Sequence, residues 1–425
     1  MQKGCNRRDC DSTQAEVQMR LNVMSAGLAL FIAFVAGDAG AAEVENPPVF
    51  KASALLGPQV QGAGYKVEQR VPSDGYVRIY TLQTPWGPAV AHGDHRLQTR
   101  FKELAAVDAM ERTSNSKEFG DALVQAGLKP VQFAGKLVTD PVDTVKNTVS
   151  GVGNLFNSIG SGIRNMGKTQ ENAVQSITGA AKQRRLIAYN YGVDPYSQFP
   201  PLKQKLDQMS NAAAAGGLVV TGAFIAIPGA AGTIISNVST AGTLNEMVRD
   251  YSAAQLLDMN RKSLLKMGVS TGVIDQLLAN SNYTPTDMTA MTGALAGMGP
   301  LQNLDALLGL AGQVASRDDA EFMRWRIELM ASYQQKMKTM TGFVAIAGVP
   351  MPMATTRSNG LLGIFPLDAL SWTSNTSRSI TAITQAARAQ GITGPMSLII
   401  TGTATPLAQQ QLAKLGWGLQ QQAFD

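Results

Sequence analysis

Ionisable side chains are scarce in this chain: Asp, Glu, Lys and Arg make up 16% of its 425 residues, against about 25% in ordinary soluble proteins. No dense block of Lys and Arg occurs, and 36 basic residues face 31 acidic ones for a net charge of +5. That balance excludes the electrostatic footprint of a nucleic-acid-binding surface and leaves only a mild attraction to anionic lipid. Histidine occurs at two positions, His92 and His95. Cysteine is confined to Cys5 and Cys10.

Both cysteines precede a targeting pattern. From Met19 the chain runs through Arg20, an apolar stretch from Val23 to Ala36 and the small-residue exit Ala39-Gly40-Ala41, in the order of a secretory signal peptide. The stretch is short for a bilayer span, so cleavage near Ala41 or Ala42 is expected rather than anchoring, with Met19 as the start and residues 1–18 as an upstream extension. Cleavage removes four basic and four acidic residues and leaves the charge at +5. The exported chain then has no thiol, which excludes a disulfide, a thiolate nucleophile, a Cys metal ligand and a lipoprotein anchor. Arg7-Arg8 lies too far upstream for a twin-arginine signal. The expected location is periplasmic or peripheral to the envelope membrane.

What remains reads as an α+β chain. The expected units are residues 1–41 (signal peptide with upstream extension), 42–130 (β-hairpin plus helix), 131–188 (glycine-rich amphipathic helical segment), 189–340 (all-helical core with an apolar hairpin) and 341–425 (small α+β unit). Residues 43–64 are punctuated by Pro and Gly and read as irregular. YKVEQRV (65–71) and YVRIYTLQ (76–83) flank the turn Pro72 to Gly75 as a hairpin, with a further strand over Ala89 to His92. Leu97, Phe101, Leu104, Val107 and Met110 have helical spacing, and a second short helix follows Ser116. Residues 243–340 read helical, with breaks near Gly268, Asn280 and Gly299-Pro300. Their last helix is capped by Ser316 and carries Met323, Ile327, Met330 and Met337 on one face. Beyond Thr341, GFVAIAG and the hairpin MPMATTR/LLGIFPL turning on Asn359-Gly360 read as strands. A helix from Ser377 to Ala389, the strand SLIITG, a helix opened by Thr405-Pro406 and the strand WGLQQQA complete the chain.

Two segments stand out for their surface chemistry. Apolar residues recur at Val138, Val142, Val145, Val149, Val152, Phe156, Ile159, Ile163 and Met166, a seven-residue period. Between Asn147 and Ile163 the opposite side holds only Asn, Thr, Ser and Gly. The composition resembles that of lipid-packing sensors, Ser/Thr/Gly-faced helices that bind membranes by apolar insertion. Gly153, Gly160 and Gly167 each lower helix propensity by about 1 kcal/mol relative to Ala, so the helix needs a surface to lie on. The second segment, Gln208 to Asn245, carries no formal charge. Gly216-Gly217 and Pro228-Gly229 divide it into two pieces, which reads as a buried helical hairpin or a re-entrant insertion.

Motifs for chemistry do not survive their context. GIRNMGKT (162–169) satisfies the phosphate-loop pattern, but it continues the seven-residue stripe where a buried strand is required. A magnesium-holding partner would have to be Asp368, at the end of LLGIFPLD, where Pro366 and the Asn-Gly turn argue against a central strand. His92-Gly93-Asp94-His95 resembles the tail of the metal motif of metallo-β-lactamase-like hydrolases, but Val90 stands where the first His belongs. Gly268-Val269-Ser270-Thr271-Gly272 matches a nucleophile elbow, yet no His follows it, so it reads as a helix-to-helix turn. TGTATP (401–406) reads as an ordinary capped strand-to-helix turn, with an anion site at the helix start as the alternative. The aromatic turn around Tyr189, Tyr191, Tyr196 and Phe199 reads as packing, with partner binding as the alternative.

These observations lead to an exported, non-enzymatic envelope protein without cofactor, metal or nucleotide. Its partner is membrane lipid or an envelope protein, contacted through Val142, Val145, Val149, Val152, Phe156, Ile159, Ile163 and Met166. The alternatives are a membrane-inserting protein that uses residues 208–245, and a hydrolase with an unrecognised carboxylate site.

Overall fold

The structure is a computed structural model that describes residues 43–114, 171–214, 238–346 and 352–424, with the helix backbone alone for 171–178 and 238–243. The signal pattern, the stripe from Val138 to Met166, the phosphate-loop match and most of the uncharged segment lie outside the described residues. The fold is mixed α and β, with N-terminal strands, central helices and a C-terminal sheet.

The N-terminal part begins with β1 (Val49–Lys51), α1 (Ala52–Leu56), a short 3-10 turn and β2 (Gln61–Gly62). Residues 43–48 are irregular, as the Pro and Gly content implied, whereas 49–62 hold very short elements that these residues punctuate. β3 (Tyr65–Val67), β4 (Arg70–Pro72), β5 (Ile79–Gln83) and β6 (Ala89–His92) follow. The expected strand 65–71 splits in two: Lys66 and Val67 pair with β5, whereas β4 turns away to pair with β1. Behind the antiparallel order β2-β3-β5-β6 packs α2 (Asp94–Ser114). Its Leu97, Phe101, Leu104, Val107 and Met110 join Tyr80, Leu82 and Ala91 in one core, as the spacing requires. The same core takes in Ile187 and Tyr191 from α3 (Glu171–Asn190) and its exit, and Phe199, Leu202 and Leu206 from the start of α4 (Pro200–Ala214). Tyr191 and Phe199 of the aromatic turn are thus buried as packing.

A second core is helical. After α5 (Val238–Asp250), it is built from α6 (Ala253–Lys266), α7 (Thr271–Ala279), α8 (Pro285–Gly297), α9 (Leu304–Ala311) and α10 (Arg317–Met337). Ser252 with Gln255 and Thr284 with Asp287 form capping boxes on α6 and α8, and the Ser316 hydroxyl accepts from the Asp319 amide at the start of α10. Met323, Ile327 and Met330 are buried along α10, but Met337 is 54% exposed. The stripe ends one turn early because Lys338 turns the chain away in a left-handed conformation.

The C-terminal sheet has the order β13-β11-β9-β8-β7, from β7 (Met340–Val344), β8 (Met353–Thr356), β9 (Leu361–Phe365), β11 (Met396–Ile400) and β13 (Trp417–Gln420). α11 (Ser374–Ala389) and α12 (Pro406–Lys414) connect β9, β11 and β13, which run parallel. β10 (Ala369–Leu370) and β12 (Thr403–Ala404) pair just past the ends of β9 and β11. β9 is the central strand, contrary to the expectation drawn from Pro366. That proline follows the last paired residue, and the Asn-Gly turn fixes only the edge shared with β8, leaving the other edge for β11. The strand is buried on both faces: Leu362 and Ile364 meet the helical core, while Leu361 and Phe365 face the core shared with α11 and α12. Burying each such side chain stabilises the layering by about 1.5–3 kcal/mol before ordering costs.

Candidate functional site

Polar contacts concentrate at two places: among the helices α2, α3, α4 and α5, and at the crest formed by the carboxyl ends of the parallel strands.

At the bundle, Arg100 lies 3.8 Å from the Phe199 ring centroid and Lys205 approaches Glu111 at 3.8 Å. α4 therefore runs beside α2 in the same direction. Arg184 of α3 pairs with Asp207 of α4 and donates from Nε to the Pro195 carbonyl at 2.5 Å, which makes α3 antiparallel to α4. Arg185 donates to the Arg249 carbonyl at 3.1 Å, and the Arg249 guanidinium lies 4.5 Å from the Tyr189 ring centroid. α3 and α5 thus finish side by side. The consequence concerns three chain junctions. The ends of α2 and α4 point the same way, and α3 begins from that side, so Ser114, Glu171 and Ala214 are oriented toward one pole. The eight stripe residues from Val142 to Met166 belong to the sequence interval between Ser114 and Glu171.

At the crest, Asp368 follows the central strand and is 2% exposed. Its Oδ1 accepts from the Arg78 amide at 2.8 Å and its Oδ2 from the Asp94 amide at 2.6 Å. Asp94 in turn accepts from Arg78 Nη1 and from the Tyr80 hydroxyl, both at 2.5 Å. Burial, followed by the neighbouring Asp94 carboxylate, pushes the Asp368 carboxyl well above the usual carboxylate range, outweighing Arg78 and its amide. Burial and Asp94 likewise raise the Tyr80 hydroxyl. The backbone closes the same seam: Ala369 and Ser371 amides donate to the Tyr76 and Gly75 carbonyls at 3.1 and 2.9 Å. A Cβ on Gly402 would stand 2.2 Å from the Asp368 carbonyl oxygen.

The crest is also where open α/β sheets hold their ligands. Here that position is filled from within. The Glu45 carboxylate accepts from the Trp372 amide at 2.6 Å and from the Thr405 hydroxyl, and the Glu45 amide donates to the Trp372 carbonyl at 3.0 Å. Thr405 is the N-cap of α12, its side chain accepting from the Ala408 amide, so TGTATP is a capped strand-to-helix turn whose Thr405 hydroxyl also donates to Glu45.

The remaining motif residues disperse. His92 and His95 stand at the β6–α2 junction, with His95 stacked on Trp325 at 4.0 Å between ring centroids and His92 4.0 Å from Asp318. No group of three metal-ligating side chains forms among the described residues. Ser270 precedes α7 as its N-cap; its amide donates to Asp305 at 2.9 Å and its side chain makes no capping bond. It lies in a helix-to-helix turn. Among the described residues no helix is long and apolar enough to cross a membrane.

Sequence reasoning missed Glu45 and the joining of Asp368 to Asp94. It also missed Asp287, which is fully buried and paired with Arg317 and, at 3.4 Å, with Arg324. The capping-box spacing Thr284-x-x-Asp287 was the available signal for the last of these. No protein-family model, curated protein or solved structure matches the chain.

Proposed function

We propose that the chain is an exported, non-enzymatic protein of the cell envelope that attaches reversibly to membrane lipid through Val142, Val145, Val149, Val152, Phe156, Ile159, Ile163 and Met166. The observation that carries this reading is the shared pole: Ser114 and Glu171, the junctions that bracket the stripe in the sequence, face one side of a folded body together with Ala214. A protein that rests on a surface by one end needs junctions arranged in this way. The filled crest supports the non-enzymatic part, since the place where a parallel sheet offers a substrate pocket is covered by Glu45 and the Gly75 to Arg78 backbone.

Flotation of the chain lacking residues 1–41 with neutral liposomes tests the reading. The protein is expected to rise with the vesicles, and Phe156→Ser to reduce that fraction several-fold, the loss of one large apolar side chain being about 1.5–3 kcal/mol. Flotation that Phe156→Ser leaves unchanged, or no flotation at all, would overturn lipid attachment and point to an envelope protein as partner.

A further inference from the structure

A cleft of about 720 Å³ opens where the carboxyl ends of α8 and α10 meet the edge of the C-terminal sheet. That is within the size range of small-molecule sites. Its walls are braced. Gln334 accepts from the Met340 amide at 2.9 Å and donates to the Met340 carbonyl at 3.1 Å. Gln302 pairs through its backbone with Thr341 and Phe343 at 2.9 and 3.0 Å, so tightly that a Cβ on Gly342 would stand 2.6 Å from the Gln302 carbonyl oxygen.

The charges of the cleft are one-sided. Lys338 and Arg357 both line it, and no Asp or Glu does. Neither cation forms an ion pair among the described residues, unlike Arg317 and Arg324 in the adjoining helix. Lys338 moreover occupies a left-handed backbone position, φ 53 and ψ 34, at the C-cap of α10. Glycine is the usual residue there, and a side chain costs about 1 kcal/mol. A lysine held at such a position motivates a role for its side chain. The ends of α8 and α10 add carbonyls without intrahelical partners, which accept from donors. The two cations disfavour an ammonium group, which leaves hydroxyls as the donors that fit.

We propose that this cleft binds a small hydroxylated organic acid, its carboxylate held between Lys338 and Arg357 and its hydroxyls received by the helix-end carbonyls. The class corresponds to a sugar acid in size and charge. Calorimetric titration of the full chain with galacturonate is expected to give saturable binding, and neutral galactose to bind at least about tenfold more weakly. Lys338→Gly and Arg357→Gln should each weaken galacturonate about tenfold, the equivalent of one charge-assisted hydrogen bond. Lys338→Gly suits the backbone of its position and so separates loss of binding from loss of folding. Lys336→Gln, outside the cleft on the same helical turn, should leave binding unchanged. Absence of saturable binding, equal binding of galactose, or galacturonate binding that neither cleft variant alters would overturn the proposal. Inorganic phosphate binding as tightly as galacturonate would overturn the assignment of the hydroxyl-accepting carbonyls.

Discussion

Asp287 in the helical core and Asp368 at the sheet crest are both buried aspartates, and their surroundings treat charge in opposite ways. Asp287 is reached by Arg317 and Arg324, and by the Thr284 amide and hydroxyl at 2.7 and 2.8 Å. Burial works against its charge, but the two arginines and these hydrogen bonds prevail and hold its pKa below the usual carboxylate value. Asp368 faces another carboxylate, and burial with that like charge favours its protonated form. The helical core thus uses an aspartate as an anion to fasten α8 to α10. The crest uses one as a hydrogen-bonding wedge between the N-terminal strands and the central strand.

Removing the charged aspartate should have the larger effect. Asp287→Ala leaves two arginines facing a buried void and dissolves the capping box of α8, so a loss of about 3 kcal/mol is expected, discounted for the partial exposure of both guanidinium groups. Urea unfolding measures it as a fall in midpoint at constant slope. A variant that keeps the wild-type midpoint would mean that the arginines, not Asp287, hold the helices together.

The pH dependence sharpens the contrast. For Asp287 the folded pKa lies below the unfolded one, so its stabilisation is present above the unfolded value and fades as pH falls through the folded value. For Asp368 the folded pKa is raised, so its stabilisation is present below the unfolded value and fades as pH rises through the folded one. Asp287→Asn should therefore cost less as the solution is acidified. Asp368→Asn should cost about 1–2 kcal/mol in acid, and that cost should shrink toward neutral pH. Unfolding free energies at several pH values give two slopes of opposite sign; parallel slopes would remove the distinction between the two sites.

Much of this architecture was legible locally. The 3.6-residue spacing of Leu97 to Met110 placed α2, and Thr405-Pro406 placed the start of α12, because periodicity and caps are properties of neighbouring residues. β9 was misjudged because a hairpin signal describes one edge of a strand and is silent about the other. The Asp368 contacts were out of reach for a different reason. Their partners stand 290 and 274 residues away, and a carboxylate that accepts backbone amides leaves no residue-type pattern in the sequence. Glu45 was hidden in a stretch that Pro and Gly made look structureless, although its part of that stretch is held by three contacts to the crest. The apolar stripe from Val138 to Met166 is the reverse case: strong in the sequence, and outside the described residues.

The smallest effect concerns Glu45, a further carboxylate at the crest besides Asp94. It meets the crest at the N-cap of α12, where a negative charge gains from the helix dipole, and the Thr405 hydroxyl and the Trp372 amide supply the hydrogen bonds. Glu45→Gln keeps a carbonyl oxygen for the Trp372 amide while removing the charge, so the expected loss is only about 0.5–1 kcal/mol. Global unfolding hardly registers that amount. Hydrogen exchange of the Trp372 amide reads it locally, and should quicken in Glu45→Gln while amides in the helical core keep their rates. Equal acceleration in both places would mean that Glu45 supports the whole fold. No acceleration at Trp372 would mean that the crest binds the glutamate for its shape, and that its preference for an anion at Glu45 is as weak as its preference for a proton at Asp368 is strong.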